Sequence, residues 1–198
     1  MLNTHPKFST PDATMKKLLL FALLLCSSAA MTSCLDDDDD NPYGEWREAN
    51  DNWVAEQEAL KNPDGTPYYT KVTASWNPNA YVLMHWHNDR SLTAGEITPI
   101  STSTTDIKYR LTNYQGLPCD SSYLRTSPAD SIYRSQVNAN VEGWVIGVTN
   151  MHVGDSVTMI IPYQWGYNAT ARGALLPYST LVFDLKLKAV PGFAIPTE

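Results

Sequence analysis

The sequence predicts an α+β domain: an antiparallel sheet with one short helix packed on it, preceded by a separate N-terminal helix. From Pro67 onward, apolar residues recur with a period of two, as half-buried strands require. One stretch, Val141–Asn150, breaks that rhythm by placing Val141, Trp144, Val145 and Val148 at helical spacing. The 13 prolines and 10 glycines supply turns for many short strands. At 198 residues, 43% apolar and 18% charged, the chain can bury one core and carry appendages. Net charge is −7, and no Lys/Arg run exceeds Lys16–Lys17. Phosphate backbones are bound by clustered positive charge, so nucleic acid is excluded as a partner.

The elements follow in order. Tyr43 to Lys61 reads as a helix with Trp46, Ala49, Trp53 and Leu60 on one stripe and Glu45, Glu48, Asp51 and Glu56 opposite. Asn62-Pro63-Asp64-Gly65 ends it. Two tryptophans on one face need a surface, and docking onto the downstream domain is favoured over capture of another protein. Tyr68–Ala74 and Tyr81–His87 are candidate strands. In the second, Tyr81, Leu83, His85 and His87 point one way, and Val82, Met84 and Trp86 the other. A polar approach, Ser101–Thr105, leads into the alternating Asp106–Leu111. Gln115–Pro118 turns the chain, and Ser131–Gln136 is a short strand. Val153-Gly154-Asp155 turns into Ser156–Ile161, where Val157, Met159 and Ile161 share a face. Pro162–Tyr178 reads as a long loop rich in glycine, proline and aromatics, and loops of that length tend to be functional. The plainest strand is Leu181–Lys188, with Leu181, Phe183, Leu185 and Leu187 inward and Asp184, Lys186 and Lys188 outward.

The N-terminus reads as an address. Met15-Lys16-Lys17 and the apolar run Leu18–Cys26 form the basic and apolar regions of an export signal, and Met15 is the expected true start. Leu18 to Met31 would be about 21 Å of helix, short of a ~30 Å hydrocarbon core. Met31-Thr32-Ser33-Cys34 resembles a bacterial lipobox, in which cleavage precedes a cysteine that then carries lipid. Asp36–Asp40 is either a solvated spacer or an acidic export tag resembling the lipoprotein surface-export signals of Bacteroidetes. The expected divisions are a leader and signal peptide (1–33), a lipidated acidic linker (34–42), the N-terminal helix and turn (43–65), the sheet domain (66–192) and a tail (193–198). This implies a lipid-anchored protein of the cell envelope, at the outer membrane and, on the tag reading, exposed at its surface.

Most covalent and metal chemistry lacks support. His85-x-His87 offers two imidazoles on one strand face, but no cysteine pair, HExxH motif or carboxylate cluster completes a shell, so no metal is expected. Cys119 has no indicated base or orienter. There is no G-x-S-x-G and no phosphate loop. Asn168-Ala169-Thr170 is formally a glycosylation sequon without consequence in a bacterial lipoprotein. With Cys26 and Cys34 in the leader region, Cys119 has no disulfide partner in the folded part. What remains is an aromatic and apolar constellation, Tyr109, Trp144, Tyr167, Leu175 and Phe183, with Asp120 and Arg125 near turns.

The order of short motifs is informative: Val141-Glu142-Gly143-Trp144, Met151-His152-Val153-Gly154-Asp155, Ile161-Pro162 with Trp165-Gly166-Tyr167, then Leu176-Pro177-Tyr178-Ser179-Thr180-Leu181-Val182-Phe183-Asp184. Together they resemble the FKBP family of peptidyl-prolyl cis-trans isomerases. The match is strong over residues 141–190 and extends weakly back to about residue 100, under half the chain. The resemblance implies an antiparallel half-barrel wrapped around one short helix. It also implies catalysis of Xaa-Pro isomerisation, no cofactor, and proline-containing polypeptides as partners. It assigns Trp144 as the floor under the proline ring and the Val141 N–H as donor to a substrate carbonyl. Tyr167 becomes a loop hydrogen-bond donor, and Leu175 an apolar residue at the loop tip. Tyr109, Asp120, Arg125 and Phe183 match wall and polar positions of the pocket. Cys119 stands where the family usually has a pocket phenylalanine, Asn168 where it has glycine, and Leu175-Leu176-Pro177 where it has Ile-Pro-Pro. The family's aromatic upstream of the helix falls near Ile132–Tyr133. A binding or chaperone module with weak turnover, within a surface lipoprotein complex, is the alternative function.

Overall fold

The computed structural model describes residues 41–192. The expected leader, the lipidation site Cys34, nearly all of the acidic linker and the tail from 193 lie outside the described residues. Helix α1 is Gly44–Ala59. Seven strands follow: β1 Thr70–Thr73, β2 Tyr81–Trp86, β3 Thr104–Thr112, β4 Pro118–Ser121, β5 Tyr133–Gln136, β6 Ser156–Ile161 and β7 Leu181–Ala189. Helix α2, Glu142–Val148, lies between β5 and β6. All strand pairs are antiparallel, in the order β1-β2-β6-β7-β3-β4, with β5 also paired to β3. The sheet is a curled half-barrel around α2, as expected. Among the described residues no helix is long and apolar enough to cross a membrane.

The alternation within the strands fills two cores. On the concave side Val82, Met84, Ile107, Tyr109, Val157, Met159, Ile161, Phe183, Leu185 and Leu187 meet Trp144, Ile146 and Val148 of α2. On the convex side Leu83, Ile160 and Val182 meet Val54 and Trp53 of α1. This explains why β2 carries apolar residues on both faces: each face has its own helix. The docking expected for α1 is present, with its stripe shifted. Leu60 is exposed, and the innermost residues are Asn50 and Val54. Trp46 and Trp53 instead lie against the Tyr114 ring, 5.0 and 6.1 Å between centroids.

Other differences have local causes. Helix α2 has two turns rather than three, and the face it presents to β6 is Gly143 and Gly147. A Cβ at either would overlap the Ile161 or Met159 side chain. Two glycines four apart let the helix backbone approach the sheet closely. Strand β5 starts at Tyr133 because Ser131 adopts a φ of 64°. Strand β4, in a stretch read as leaving a turn, owes its form to pairing with β3 rather than to strand-favouring residues.

The β2–β3 connection is tied to the turn before β6 through one carboxylate. The buried Asp155 accepts from Thr93 Oγ1 (2.6 Å), Asn88 Nδ2 (3.0 Å) and the His152 amide (2.8 Å), and Arg90 Nε lies 3.4 Å away. His85 and His87, weighed above as metal ligands, are engaged otherwise. His85 stacks on Tyr68 at 4.0 Å, and His87 Nε2 is 2.9 Å from Thr158 Oγ1.

Candidate functional site

Where β3 and β7 run side by side, their concave faces present Tyr109, Leu111 and Phe183. Helix α2 crosses beneath with Trp144, the β5 end brings Tyr133, and the 162–180 segment closes over from the other side. The result is an open cavity of about 650 Å³. All nine residues singled out for substrate contact or catalysis line it: Tyr109, Cys119, Asp120, Arg125, Val141, Trp144, Tyr167, Leu175 and Phe183. Tyr133, Asn140 and Arg172 line it as well.

The inner half is aromatic and edge-to-face. Trp144 meets Phe183 at 5.1 Å and 75°, Tyr109 at 5.9 Å and 84°, and Tyr133 at 6.1 Å and 85°. Tyr109 meets Tyr133 at 5.6 Å and Phe183 at 5.7 Å, both steeply tilted. Such tilted pairs set each ring's positive edge against a neighbour's negative face and fix the rings against one another. The box is therefore a pre-formed apolar receptacle, with a buried indole at its base.

Polar groups sit around it. Tyr109 Oη donates to Asp120 Oδ2 at 2.6 Å. Burial first, and then this bond, hold the Tyr109 hydroxyl well above its usual range, against an opposing pull from Arg125. It stays a proton donor at any physiological pH. Asp120 also accepts from the Ser121 amide at 2.7 Å. Arg125 lies over the Tyr133 ring at 5.0 Å, and Arg172 over the Tyr167 ring at 5.6 Å. Tyr133 Oη donates to Asn140 Oδ1 at 2.9 Å, and the Asn140 amide donates in turn to the Gln136 carbonyl at 2.8 Å. Val141 is the N-cap of α2, in extended backbone without a side-chain cap, so amides at this helix start are outside the intrahelical ladder.

Cys119 sits in the wall with its thiol donating to the Leu117 carbonyl at 3.2 Å. Burial pushes that thiol up, away from the reactive thiolate. Among the described residues no three or more His, Cys, Asp or Glu side chains gather as metal ligands. The arrangement suits holding a compact apolar ring with its flanking carbonyls near donors, rather than covalent attack.

Asn168 has a φ of 51°, the left-handed conformation for which the family uses glycine. Tyr178, directly after the tip Leu175-Leu176-Pro177, also has a positive φ, 59°. Of Ile132 and Tyr133, it is Tyr133 that lines the cavity. Its inward place follows from β5 alternation. Arg172 and Asn140 carry no such local signal, since what places them is tertiary.

A half-barrel sheet around a short helix, with an aromatic box between them, is an FKBP-like arrangement. Comparison with known proteins agrees. The pattern of the FKBP-type peptidyl-prolyl cis-trans isomerase family matches residues 95–188. FK506-binding protein 1 of Dictyostelium discoideum is 31% identical over 94 residues, covering 47% of this chain and 85% of that one. FKBP-type peptidyl-prolyl cis-trans isomerase FkpA of Escherichia coli K12 is 29% identical over 89 residues, covering 45% of this chain and 32% of that one. The chain thus matches about a third of the length of FkpA. The crystal structure of FkpA from Escherichia coli superposes with a TM-score of 0.58 at 21% identity, covering 89% of this chain and 70% of that one. A peptidyl-prolyl cis-trans isomerase from Pseudomonas syringae pv. tomato superposes with a TM-score of 0.56 at 20% identity, covering 75% and 96%. The chain belongs to the FKBP-type peptidyl-prolyl cis-trans isomerase family.

Proposed function

We propose that this protein catalyses cis–trans isomerisation of Xaa-Pro bonds in polypeptides of the cell envelope or in secreted polypeptides, from a lipid anchor at Cys34. The supporting observation is the edge-to-face box of Tyr109, Tyr133, Trp144 and Phe183, open to solvent on one side.

Amide resonance sets a barrier of about 18–20 kcal/mol to rotation, and breaking it needs no covalent partner. The proline ring enters the box and rests on Trp144. The twisted amide has lost charge separation, so an apolar, water-poor site suits it better than the planar ground state. The Val141 N–H and the Tyr167 hydroxyl hold the flanking carbonyls in the turned geometry, an orientation effect. Asp120 and Arg125 stiffen the walls: one anchors the Tyr109 hydroxyl and the other covers Tyr133. Leu175 closes the apolar side, and Cys119 leaves more width than an aromatic would. A thousandfold acceleration needs only about 4 kcal/mol in all, within reach of these effects.

The test is proline exchange in short Xaa-Pro peptides, with Tyr167→Phe beside the wild type. Exchange well above background, reduced several-fold in the variant, is the expected result. A folded wild type that leaves exchange at background would refute isomerase activity and leave the binding or chaperone reading. Anchoring is tested by metabolic labelling with a lipid precursor. Label is expected on the wild type and absent from Cys34→Ser, and an unlabelled wild type would refute it.

A further inference from the structure

We infer that Asn50, in a helix preceding the family-matched residues, is a positioning residue for the cleft, because it holds one end of the segment carrying Tyr167, Arg172 and Leu175. This rests on the isomerase reading above. The segment is closed on itself: the Asn168 amide donates to the Tyr163 carbonyl at 2.9 Å, and the Tyr178 amide donates to the Asn168 carbonyl at 2.7 Å. A loop latched in this way keeps its own shape. Its placement over the sheet is set at its two ends, and α1 meets both.

At the first end Arg47 Nε donates to Tyr163 Oη at 2.9 Å, and Gln164 Nε2 donates to Asp51 Oδ1 at 3.2 Å. At the second, the Thr180 amide donates to Asn50 Oδ1 at 2.7 Å. Asn50 is completely buried, and its own amide group donates to the Trp46 carbonyl at 2.8 Å, which fixes which way the acceptor faces. Thr180 is completely buried too, one residue before β7. Without Asn50 its N–H would be a buried donor lacking an acceptor, which the chain relieves by moving. Moving Thr180 shifts the segment that brings Tyr167 and Leu175 to the substrate, and displacements near 1 Å cost as much as about a hundredfold in rate.

The test uses the whole protein with Asn50→Leu, Asn50→Asp and Val54→Ala. Asp keeps an acceptor for Thr180 but loses the donor to the Trp46 carbonyl and buries a charge. Val54 is on the same helix but packs on Leu83 and Ile160 of the sheet. Two readouts are taken: kcat/KM for an Xaa-Pro peptide and amide hydrogen exchange across residues 163–180. Asn50→Leu is expected to lose roughly tenfold in kcat/KM and to speed exchange at Thr180 and through the segment. Asn50→Asp is expected to lose stability but to keep exchange at Thr180 slower than Asn50→Leu does, and Val54→Ala to lower the melting temperature without either change. Wild-type values of both readouts in Asn50→Leu, or the same two losses in Val54→Ala, would overturn the inference. A wild type inactive on peptides would refute the isomerase reading, and the exchange readout would then decide Asn50's role alone.

Discussion

Substituting Gly143 and Gly147 by alanine separates two outcomes of one chemical change. Each gains at most about 1 kcal/mol of helix propensity. Each also places a methyl group against β6, in a core without room for it. At Gly143 the neighbour is Ile161, completely buried, with Cγ1 and Cβ at 3.1 and 3.2 Å behind the overlapping Cγ2. A β-branched side chain in a strand has little rotamer freedom, so helix or strand must move. Overpacking of that kind costs about 1–3 kcal/mol, and this site falls in the upper half. The net expectation for Gly143→Ala is a loss of roughly 1–2 kcal/mol. At Gly147 the neighbour is the thioether of Met159, an unbranched chain that can re-seat its sulfur. Strain and propensity then nearly cancel, for a change within about 1 kcal/mol. Urea unfolding at constant slope is the assay, and a loss of that size moves the midpoint by roughly 0.5–1.5 M for Gly143→Ala. Isomerase activity should fall more in Gly143→Ala, since the adjacent residue is the indole floor. A Gly143→Ala protein as stable as wild type, or a Gly147→Ala protein that loses more, would refute the reasoning.

Further expectations concern the turn before β6 and the cleft segment. Burial alone would raise the Asp155 carboxyl. The His152 amide, Thr93, Asn88 and Arg90 outweigh it and hold the group below the usual carboxylate range. A depressed folded value stabilises above the unfolded one, near 3.9, and that stabilisation is lost as pH falls through the folded value. Asp155→Asn should therefore lower neutral-pH stability by about 1–3 kcal/mol and flatten the loss below about pH 4, as read from unfolding at stepped pH. An unchanged acid limb would show that this carboxylate does not govern it. Substituting Tyr178→Pro should cost about 3 kcal/mol or more, because it forbids the observed φ and deletes the amide that donates to Asn168. An unaltered melting temperature would contradict that.

Strands that bury one face were legible. Ser156–Ile161 and Leu181–Lys188 alternate because one side meets α2 and the other α1 or solvent. Pro118–Ser121 was not, since its extended form comes from the β3 edge it joins. On α1, periodicity favours Trp and Leu, whereas the centre of the interface is an asparagine whose partner lies 130 residues away. No local signal could reveal that bond. The cleft was legible through the family resemblance: the short motifs carry Val141, Trp144, Tyr167 and Phe183, its wider match supplies the other five, and all nine line one cavity. The resemblance narrowed one wall position to Ile132–Tyr133 and the chain path put Tyr133 in the cleft, while Arg172 and Asn140 depend on a chain path that no spacing encodes.

The sheet is covered on both sides, and this sets the size of the smallest portable unit. Leu83 and Ile160 are covered by Val54 and Trp53 of the helix that precedes the family pattern. A fragment beginning at the first strand would present them, with Tyr81 and Val182, as an oily outer wall inviting self-association. Transplanting this domain into another protein therefore means carrying residues 44–59 along with the barrel.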